Sequence, residues 1–212
     1  MQYRELQEKL GNRLVITPHD IRLFEQDFRA KTLTDWMQKG LIHKITRGFY
    51  ILDSYKKQLN ELYLFSIANK IYAPSYISLE SALSYYHLIP EGVFTITSLT
   101  VRKTTKIDSP FARFSYKSIK PTMMIGYSEV KFGEFSFMMA KKEKAIIDYL
   151  YLHHDLKTTG DMHEIRINET ELFENFDEDA YWMYVRITEN KSLAMRAKVF
   201  LDYWRNPTYA QY

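Results

Sequence analysis

The sequence predicts an α+β protein in two parts: a small helical unit that ends in a β-hairpin, and a larger domain that mixes helices with strands. Three short amphipathic stretches followed by two extended runs predict the first part, and alternating helical and strand-like runs predict the second. The polar link DSYKKQLN lies between them, so we place the domains at 1–55 and 56–212. The 212 residues suffice to bury a hydrophobic core.

Composition excludes several classes of protein. Apolar residues make up 46% of the chain and charged residues 26%, which is typical of a folded globular protein. There is no cysteine, which excludes disulfides, thiolate zinc sites and a cysteine nucleophile. The charged start MQYRELQEKLGNRLV lacks the apolar core of a signal peptide, and no run approaches the roughly 18 apolar residues of a membrane span. We therefore expect a soluble cytoplasmic protein.

Spacing and capping residues indicate the first two helices. The stretch QYRELQEKLG places two leucines four residues apart, which suits a short helix with one buried face. A second helix is expected to begin with Thr17 as its N-cap and Pro18 in its first turn. Ile21 and Phe24 then form its predicted buried stripe.

A third helix and a hairpin complete the first part. The helix is predicted over residues 31–39, where Leu33 and Trp36 face inward and the polar residues between them face outward. Gly40 ends this helix. The extended runs on either side of the turn at residues 46–48 are expected to pair as strands.

Three short helices followed by a hairpin is the order of a winged helix-turn-helix, in which the last helix enters the major groove of DNA. Residues 29–47 carry five Lys/Arg against Asp35, and phosphate attraction supplies most non-specific affinity for DNA. Double-stranded DNA is therefore the predicted partner. The candidate DNA-binding residues are Arg29, Lys31, Thr32, Thr34, Gln38, Lys44 and Arg47. The alternatives are a solvated basic face and a winged helix that binds protein.

The second part is predicted to be a mixed α+β domain without internal repeats. KKEKAIIDYLYLHH is apolar around much of its circumference, which indicates a central core helix. The other predicted helices are 59–72, LESALSYYHL with Ser78 as its N-cap, and LAMRAKVFLDYW. The predicted strands are VFTITSLTVRK, RFSYKSIK, TMMIGYSEV and EFSFMMA, the last two joined by a tight turn at KFGE.

Charge is segregated in the second part. Residues 102–120 carry six Lys/Arg against Asp108, whereas residues 155–189 carry ten acids against three Lys/Arg and are expected to be partly loop. In RFSYK, the alternation places the polar side chains on one face of a strand. The cationic candidates are Arg102, Lys103, Arg113 and Lys117. They form either a solvated sheet face, a second nucleic-acid surface or the surface that carries the function of the second domain.

No catalytic motif is present, and we expect no catalytic residues, metal or cofactor. The sequence lacks G-x-S-x-G, both glycine-rich phosphate motifs and H-E-x-x-H. Glu143 and Asp148 lie five apart on one predicted helix, where surface pairing with lysines is expected rather than acid–base chemistry. The nearest approach to a metal site in sequence is the set His153, His154, Asp155, His163 and Glu164.

A longer pattern resembles a known family. The runs ANKIYAPSYISLESALSYYHLIPEGVFTITSLTVRKT, FSYKSIKP and AKKEKAIIDYLYL are similar to AbiEi antitoxins, and GLIHKITRGFYIL is similar to the wing of that family. The resemblance covers roughly residues 17–152 and is strongest in YISLESALSYYHLIPE. It departs at His87, where the family has a small residue, often glycine, and after Asp155.

The resemblance implies a function that composition and periodicity do not. It implies the antitoxin of a type IV toxin–antitoxin (abortive infection, phage defence) system, whose N-terminal domain binds repeated sites in its own operator and represses transcription. The second domain would oppose a nucleotidyltransferase-like toxin without forming a stable complex with it. Two alternatives stay open: a winged-helix transcriptional regulator whose second domain binds a small ligand or a protein, and a second domain that is an enzyme targeted to DNA.

Overall fold

The computed structural model describes residues 2–206, which form a mixed α+β fold. The predicted domain ranges 1–55 and 56–212 also include residues 1 and 207–212, which lie outside the described residues. The helices are α1 (Tyr3–Leu10), α2 (Pro18–Arg22), α3 (Ala30–Gln38), α4 (Asp53–Lys56), α5 (Glu61–Ile71), α6 (Glu80–Tyr85), α7 (Lys142–Leu152), α8 (Thr159–Glu164), α9 (Glu169–Phe173), α10 (Glu178–Ile187) and α11 (Lys191–Arg205). The strands are β1 (Ile42–Thr46), β2 (Phe49–Leu52), β3 (Ser75–Ile77), β4 (Thr95–Thr100), β5 (Thr105–Asp108), β6 (Arg113–Ser118), β7 (Tyr127–Phe132) and β8 (Phe135–Ala140).

The N-terminal helices follow the predicted caps. At α2 the Thr17 hydroxyl accepts from the Asp20 N–H at 3.2 Å, and the Asp20 carboxylate accepts from the Thr17 N–H at 2.9 Å. This reciprocal capping box satisfies two donors that the first turn would leave free. Between α1 and α2, Ile16 forms an isolated antiparallel bridge with Tyr50 of β2, beside the two-stranded hairpin. This bridge ties the segment between α1 and α2 to the hairpin, and α3 packs against β1.

One predicted core residue of this unit is on the surface. Ile21 is fully buried as expected, but Phe24 is 47% exposed, and its neighbour Leu23 is also exposed. The helix α2 stops at Arg22, so the helical period that would turn Phe24 inward does not continue. The expectation of an Ile21–Phe24 buried stripe is therefore wrong.

The larger unit is built on a six-stranded mixed sheet in the order β5-β6-β4-β3-β8-β7. β6 lies parallel to β4, β3 lies parallel to β8, and the other neighbouring pairs are antiparallel. The predicted run TMMIGYSEV is not strand throughout, because Pro121–Met123 form a 3-10 turn and β7 begins at Tyr127. β7 and β8 are joined by the tight turn predicted at Gly133-Glu134.

Helices cover the two faces of this sheet unequally. On one face α5 lies against β3, β4 and β8, and the Tyr116 hydroxyl of β6 donates to the Ala68 carbonyl of α5 at 2.8 Å. On the other face α6 packs on β4 and α7 on β8, over the middle of the sheet. The face of β5 and β6 beyond them remains accessible.

The carboxylates of α7 are buried, so the expectation of surface ion pairs is wrong. Asp148 is 0% exposed and accepts hydrogen bonds from Lys144, from Ser78 at 2.8 Å and from Tyr76 at 3.0 Å. Ser78 thus binds Asp148 instead of capping α6, whose N-cap is Leu79. Burial raises the pKa of the Asp148 carboxyl, while Lys144 and the two hydroxyls oppose that rise.

The acidic segment 155–189 is largely helical, where partly loop was expected, because it forms α8, α9 and α10. Several of its acids occupy helix N-termini: Asp161 completes a capping box with Thr158, and Asp177 accepts from the Ala180 N–H at 2.9 Å. Hydrogen bonds from the Thr158 and Lys157 N–H groups lower the pKa of the Asp161 carboxyl. Six of the ten acids in this segment lie at the N-cap or in the first turn of a helix, where the helix dipole favours negative charge.

The two units are packed against each other. The first has its own apolar cluster around Leu6, Ile21 and Trp36, whereas Ile45 and Ile51 of the hairpin belong to the cluster of the larger unit. The link expected between them contains α4, whose Tyr55 ring meets the Phe135 ring at 5.4 Å. Within residues 2–206, no helix combines the length and apolar character that would cross a bilayer.

Candidate functional site

The helix α3 presents a polar outer face. Leu33 and Trp36 are buried against the first unit, which turns Thr34 and Gln38 outward. Arg29 occupies the N-cap position without capping the helix through its side chain. Thr32 is only half-exposed, so it is the least accessible of the predicted contacts on this helix.

The hairpin places two exposed cations at and near its tip. Lys44 lies opposite Tyr50 in the β1–β2 register, and Arg47 lies in the turn between Thr46 and Phe49. Gly48 has φ of +82°, a left-handed conformation that glycine adopts without a steric penalty. The turn can therefore be short, and Arg47 lies at the tip of the β1–β2 hairpin.

These cations have no intramolecular use that the structure reveals. Among the described residues, Arg29, Lys31, Lys44 and Arg47 form no ion pair and no side-chain hydrogen bond. Four unpaired cations on one small unit create a positive potential that attracts phosphate groups. Thr34 and Gln38 supply hydrogen-bonding groups of the kind that read base edges.

The second basic run divides into two groups with different surroundings. The Arg102 guanidinium lies 4.1 Å from the centre of the Tyr72 ring and donates to the Ala73 carbonyl at 3.0 Å. The Tyr72 hydroxyl in turn donates to the Lys103 carbonyl at 2.8 Å. Arg102 therefore has a structural role beside the end of β4, and it is separate from Arg113 and Lys117.

Arg113 and Lys117 belong instead to an open cleft of about 990 Å³, which we call the sheet cleft. Its floor is the accessible face of β5 and β6, together with the part of β4 beside α6. Parallel pairing of β4 with β6 aligns Thr97 with Ser115, and antiparallel pairing aligns Lys106 with Ser115, so these side chains share a face. The floor includes Thr95, Thr97, Lys106, Asp108, Arg113, Ser115 and Lys117, and in RFSYK it follows the alternation predicted for that strand.

The opposite wall of the sheet cleft is acidic. It is formed by the ends of α6, α7 and α8 and includes Glu80, His153 and Glu164. The Nδ1–H of His153 donates to the Tyr149 carbonyl at 2.9 Å, and its Nε2 lies 3.8 Å from the Glu80 carboxylate. The segment 91–94 forms the rim. A ligand here would meet cations on the floor and carboxylates on the wall.

The histidine and acidic residues singled out in sequence do not form a metal centre. His163 lies beside the Tyr203 hydroxyl at 2.7 Å, apart from the His153–Glu80 pair. Within the described part of the chain, no group of three or more His, Asp or Glu side chains is arranged to hold a metal ion.

No family model and no curated protein matches the chain.

Sequence reasoning found Arg113 and Lys117 but missed Lys106 and Phe94 as members of the same site. In the sequence, Lys106 lies in the alternating run TKID and Phe94 is the apolar residue before TIT. Only the strand order of the sheet shows that these two residues border the same cleft.

Proposed function

We propose that the protein is a DNA-binding autorepressor with an N-terminal winged helix-turn-helix, and that it is the antitoxin of a type IV toxin–antitoxin system. The observation that carries the DNA-binding half is the set of unpaired cations at the start of α3 and on the hairpin. The winged-helix assignment is supported by the order of the elements, which is α1, the bridged residue Ile16, α2, α3 and the hairpin. In this proposal α3 enters the major groove of double-stranded DNA.

The predicted contacts divide by chemistry. Lys44 and Arg47 bind phosphates, which fixes the protein on any DNA sequence. Thr34 and Gln38 contact base edges, which distinguishes the operator from other DNA. Thr32 is half-buried, so in this proposal it contacts DNA only at the N-terminal turn of α3 and does not reach far into the groove.

The antitoxin half of the proposal depends on the resemblance to AbiEi proteins. One structural detail supports that resemblance: His87 has φ of +55°, a left-handed backbone conformation that favours glycine, at the position where the family often has glycine. The proposed role is non-catalytic, opposing a nucleotidyltransferase-like toxin without a stable complex.

DNA binding is tested by fluorescence anisotropy with the DNA upstream of the gene. Lys44→Ala with Arg47→Ala should weaken binding to upstream and random DNA alike, because both side chains would bind phosphates. The matched control is Lys191→Ala with Lys198→Ala on α11, which removes the same charge from exposed positions away from the hairpin. Equal affinities for the two double variants would refute the assignment of the hairpin as a wing.

Antitoxicity is tested in cells that express an adjacent nucleotidyltransferase-like gene. The full-length Lys44/Arg47 double variant should lose repression of its promoter but still rescue growth, because DNA binding and antitoxicity are assigned to different parts of the chain. Failure of the wild-type protein to rescue growth would refute the antitoxin role and leave the DNA-binding role standing.

The second candidate is a DNA-binding regulator whose larger unit binds a small ligand. The sheet cleft favours this candidate, since its volume of about 990 Å³ is at the upper end of small-molecule sites. The two candidates share the N-terminal assignment and differ only in the role of the larger unit.

A further inference from the structure

The structure assigns the sheet cleft as a binding site for a nucleoside phosphate whose base carries an exocyclic amino group. This inference rests on the ligand-binding candidate above and is independent of DNA binding by the hairpin. It can therefore fail while the DNA-binding proposal stands.

The floor of the cleft offers uncommitted positive charge. Lys106 on β5 and Lys117 on β6 make no ion pair or side-chain hydrogen bond with any residue in 2–206. Arg113 pairs only with Asp108, at 3.6 Å and with both side chains mostly exposed. A surface pair of this kind is weak and can exchange for a phosphate.

A hydroxyl on the same floor is available to a ligand. Ser115 lies directly across from Lys106 and two residues before Lys117, and its hydroxyl forms no hydrogen bond within the described part of the chain. The residue is 6% exposed as a whole, but its hydroxyl oxygen is accessible from the open cleft. A phosphate oxygen bound between the two lysines would accept from this hydroxyl.

The rim provides an aromatic ring. Phe94 is 93% exposed, which is unusual for a phenylalanine, and it borders the cleft just before β4. Aromatic rings exposed beside cationic surfaces serve as platforms on which bases stack. A nucleotide whose phosphate lies on the floor would bring its base toward this rim.

The acidic wall selects the kind of ligand. Glu80 and Glu164 border the same cleft and would repel a continuous polyanion such as a nucleic-acid strand, whereas Glu91 on the rim is paired with Arg166 at 3.2 Å. A single nucleotide avoids that repulsion, because its phosphate stays on the cationic floor while its base faces the carboxylates. Amino groups of guanine, cytosine or adenine donate hydrogen bonds to carboxylates, and uracil offers no such amino group.

The experiment is calorimetric titration of purified full-length protein, without DNA, with GMP, CMP, AMP, UMP, ribose 5-phosphate and inorganic phosphate. We expect at least one of GMP, CMP and AMP to bind with a dissociation constant below about 1 mM and at least about tenfold more tightly than UMP, ribose 5-phosphate or phosphate. Lys106→Ser with Lys117→Ser should weaken binding at least about tenfold, and Phe94→Ala should weaken it roughly tenfold through loss of the base stack.

The control is Lys103→Ser with Lys120→Ser, which removes the same charge from exposed positions of the same basic run outside the cleft. It should bind like the wild type, and all variants should keep their melting temperature within a few degrees. Three results would overturn the inference: no nucleotide binding by the wild type, equal losses in the two double variants, or binding of UMP or phosphate as tight as that of the best-bound amino-bearing nucleotide. Lysine-dependent binding of a single-stranded oligonucleotide without binding of mononucleotides would also overturn it, in favour of a nucleic-acid surface.

Discussion

The buried pair Lys144–Asp148 allows a sharp prediction about stability. Asp148→Asn keeps the size of the side chain and an oxygen that can accept from Ser78 and Tyr76, but it removes the negative charge and replaces the oxygen that accepts from Lys144 with an NH2 group. The Lys144 ammonium, 1% exposed, would then be buried without a counter-charge. Removing one partner of a buried ion pair costs about 3–5 kcal/mol, because the remaining charge is left desolvated.

This loss is large enough to measure by urea unfolding. With a urea slope near the upper end of the usual range of about 1–3 kcal/mol/M, the midpoint should fall by about 1–2 M. The control is Lys144→Met with Asp148→Asn, which removes both charges but keeps an acceptor for Ser78 and Tyr76, and it should cost less than Asp148→Asn alone, since no buried charge remains. A cost of less than about 1 kcal/mol for Asp148→Asn would refute the account of this pair.

For the single variant Lys144→Met, the loss in free energy of unfolding relative to the wild type should depend on pH. Burial raises the pKa of Asp148, and loss of the Lys144 cation should raise that pKa further. An acid whose folded pKa lies above its unfolded value of about 3.9 binds its proton more strongly when folded, so stability falls as pH rises above that value. The stability deficit of Lys144→Met relative to the wild type should therefore grow between about pH 4 and pH 7. A deficit that is constant across this range would contradict the reasoning.

Three further predictions concern exposed residues. Gln38→Ala should reduce the preference for operator over random DNA by about 1–3 kcal/mol while leaving affinity for random DNA nearly unchanged, as measured by competition anisotropy. His87→Gly should raise the free energy of unfolding by up to about 1 kcal/mol, because it relieves a left-handed non-glycine residue; a lower melting temperature would contradict this. Hydrogen bonding to Arg205 lowers the pKa of Glu178, so the contribution of this pair is complete above pH 4.5 and is lost as pH falls through the lowered pKa. Glu178→Gln should therefore differ from the wild type at pH 7 but converge with it in acid, as measured by thermal unfolding.

The local elements of the first unit could be predicted from sequence because their signals are local. The cap at Thr17 and the spacing of Leu33 and Trp36 depend only on near neighbours, and the structure has both helices where these signals place them. Phe24 was misassigned because helix length decides whether a periodic residue is buried. The length of α2 is set by where the chain must turn toward α3, which periodicity does not encode.

The larger unit could be predicted only in part, because its features depend on long-range pairing. The sheet order puts β6 parallel to β4 although β5 lies between them in the chain. That order assembles the floor of the sheet cleft and separates Arg102 from Arg113 and Lys117, which share a single basic run in sequence. The Asp148 network was missed for the same reason, since Tyr76 and Ser78 are about 70 residues away.

The salt dependence of DNA binding tests the central claim, that the hairpin and α3 hold DNA through unpaired cations. Affinity for operator DNA should be measured at several salt concentrations for the wild type and for Arg47→Ala. The account predicts that log affinity falls linearly with log salt for the wild type, and that the slope is smaller by about one for Arg47→Ala, which removes one phosphate contact. A wild-type affinity independent of salt, or an unchanged slope in Arg47→Ala, would contradict it.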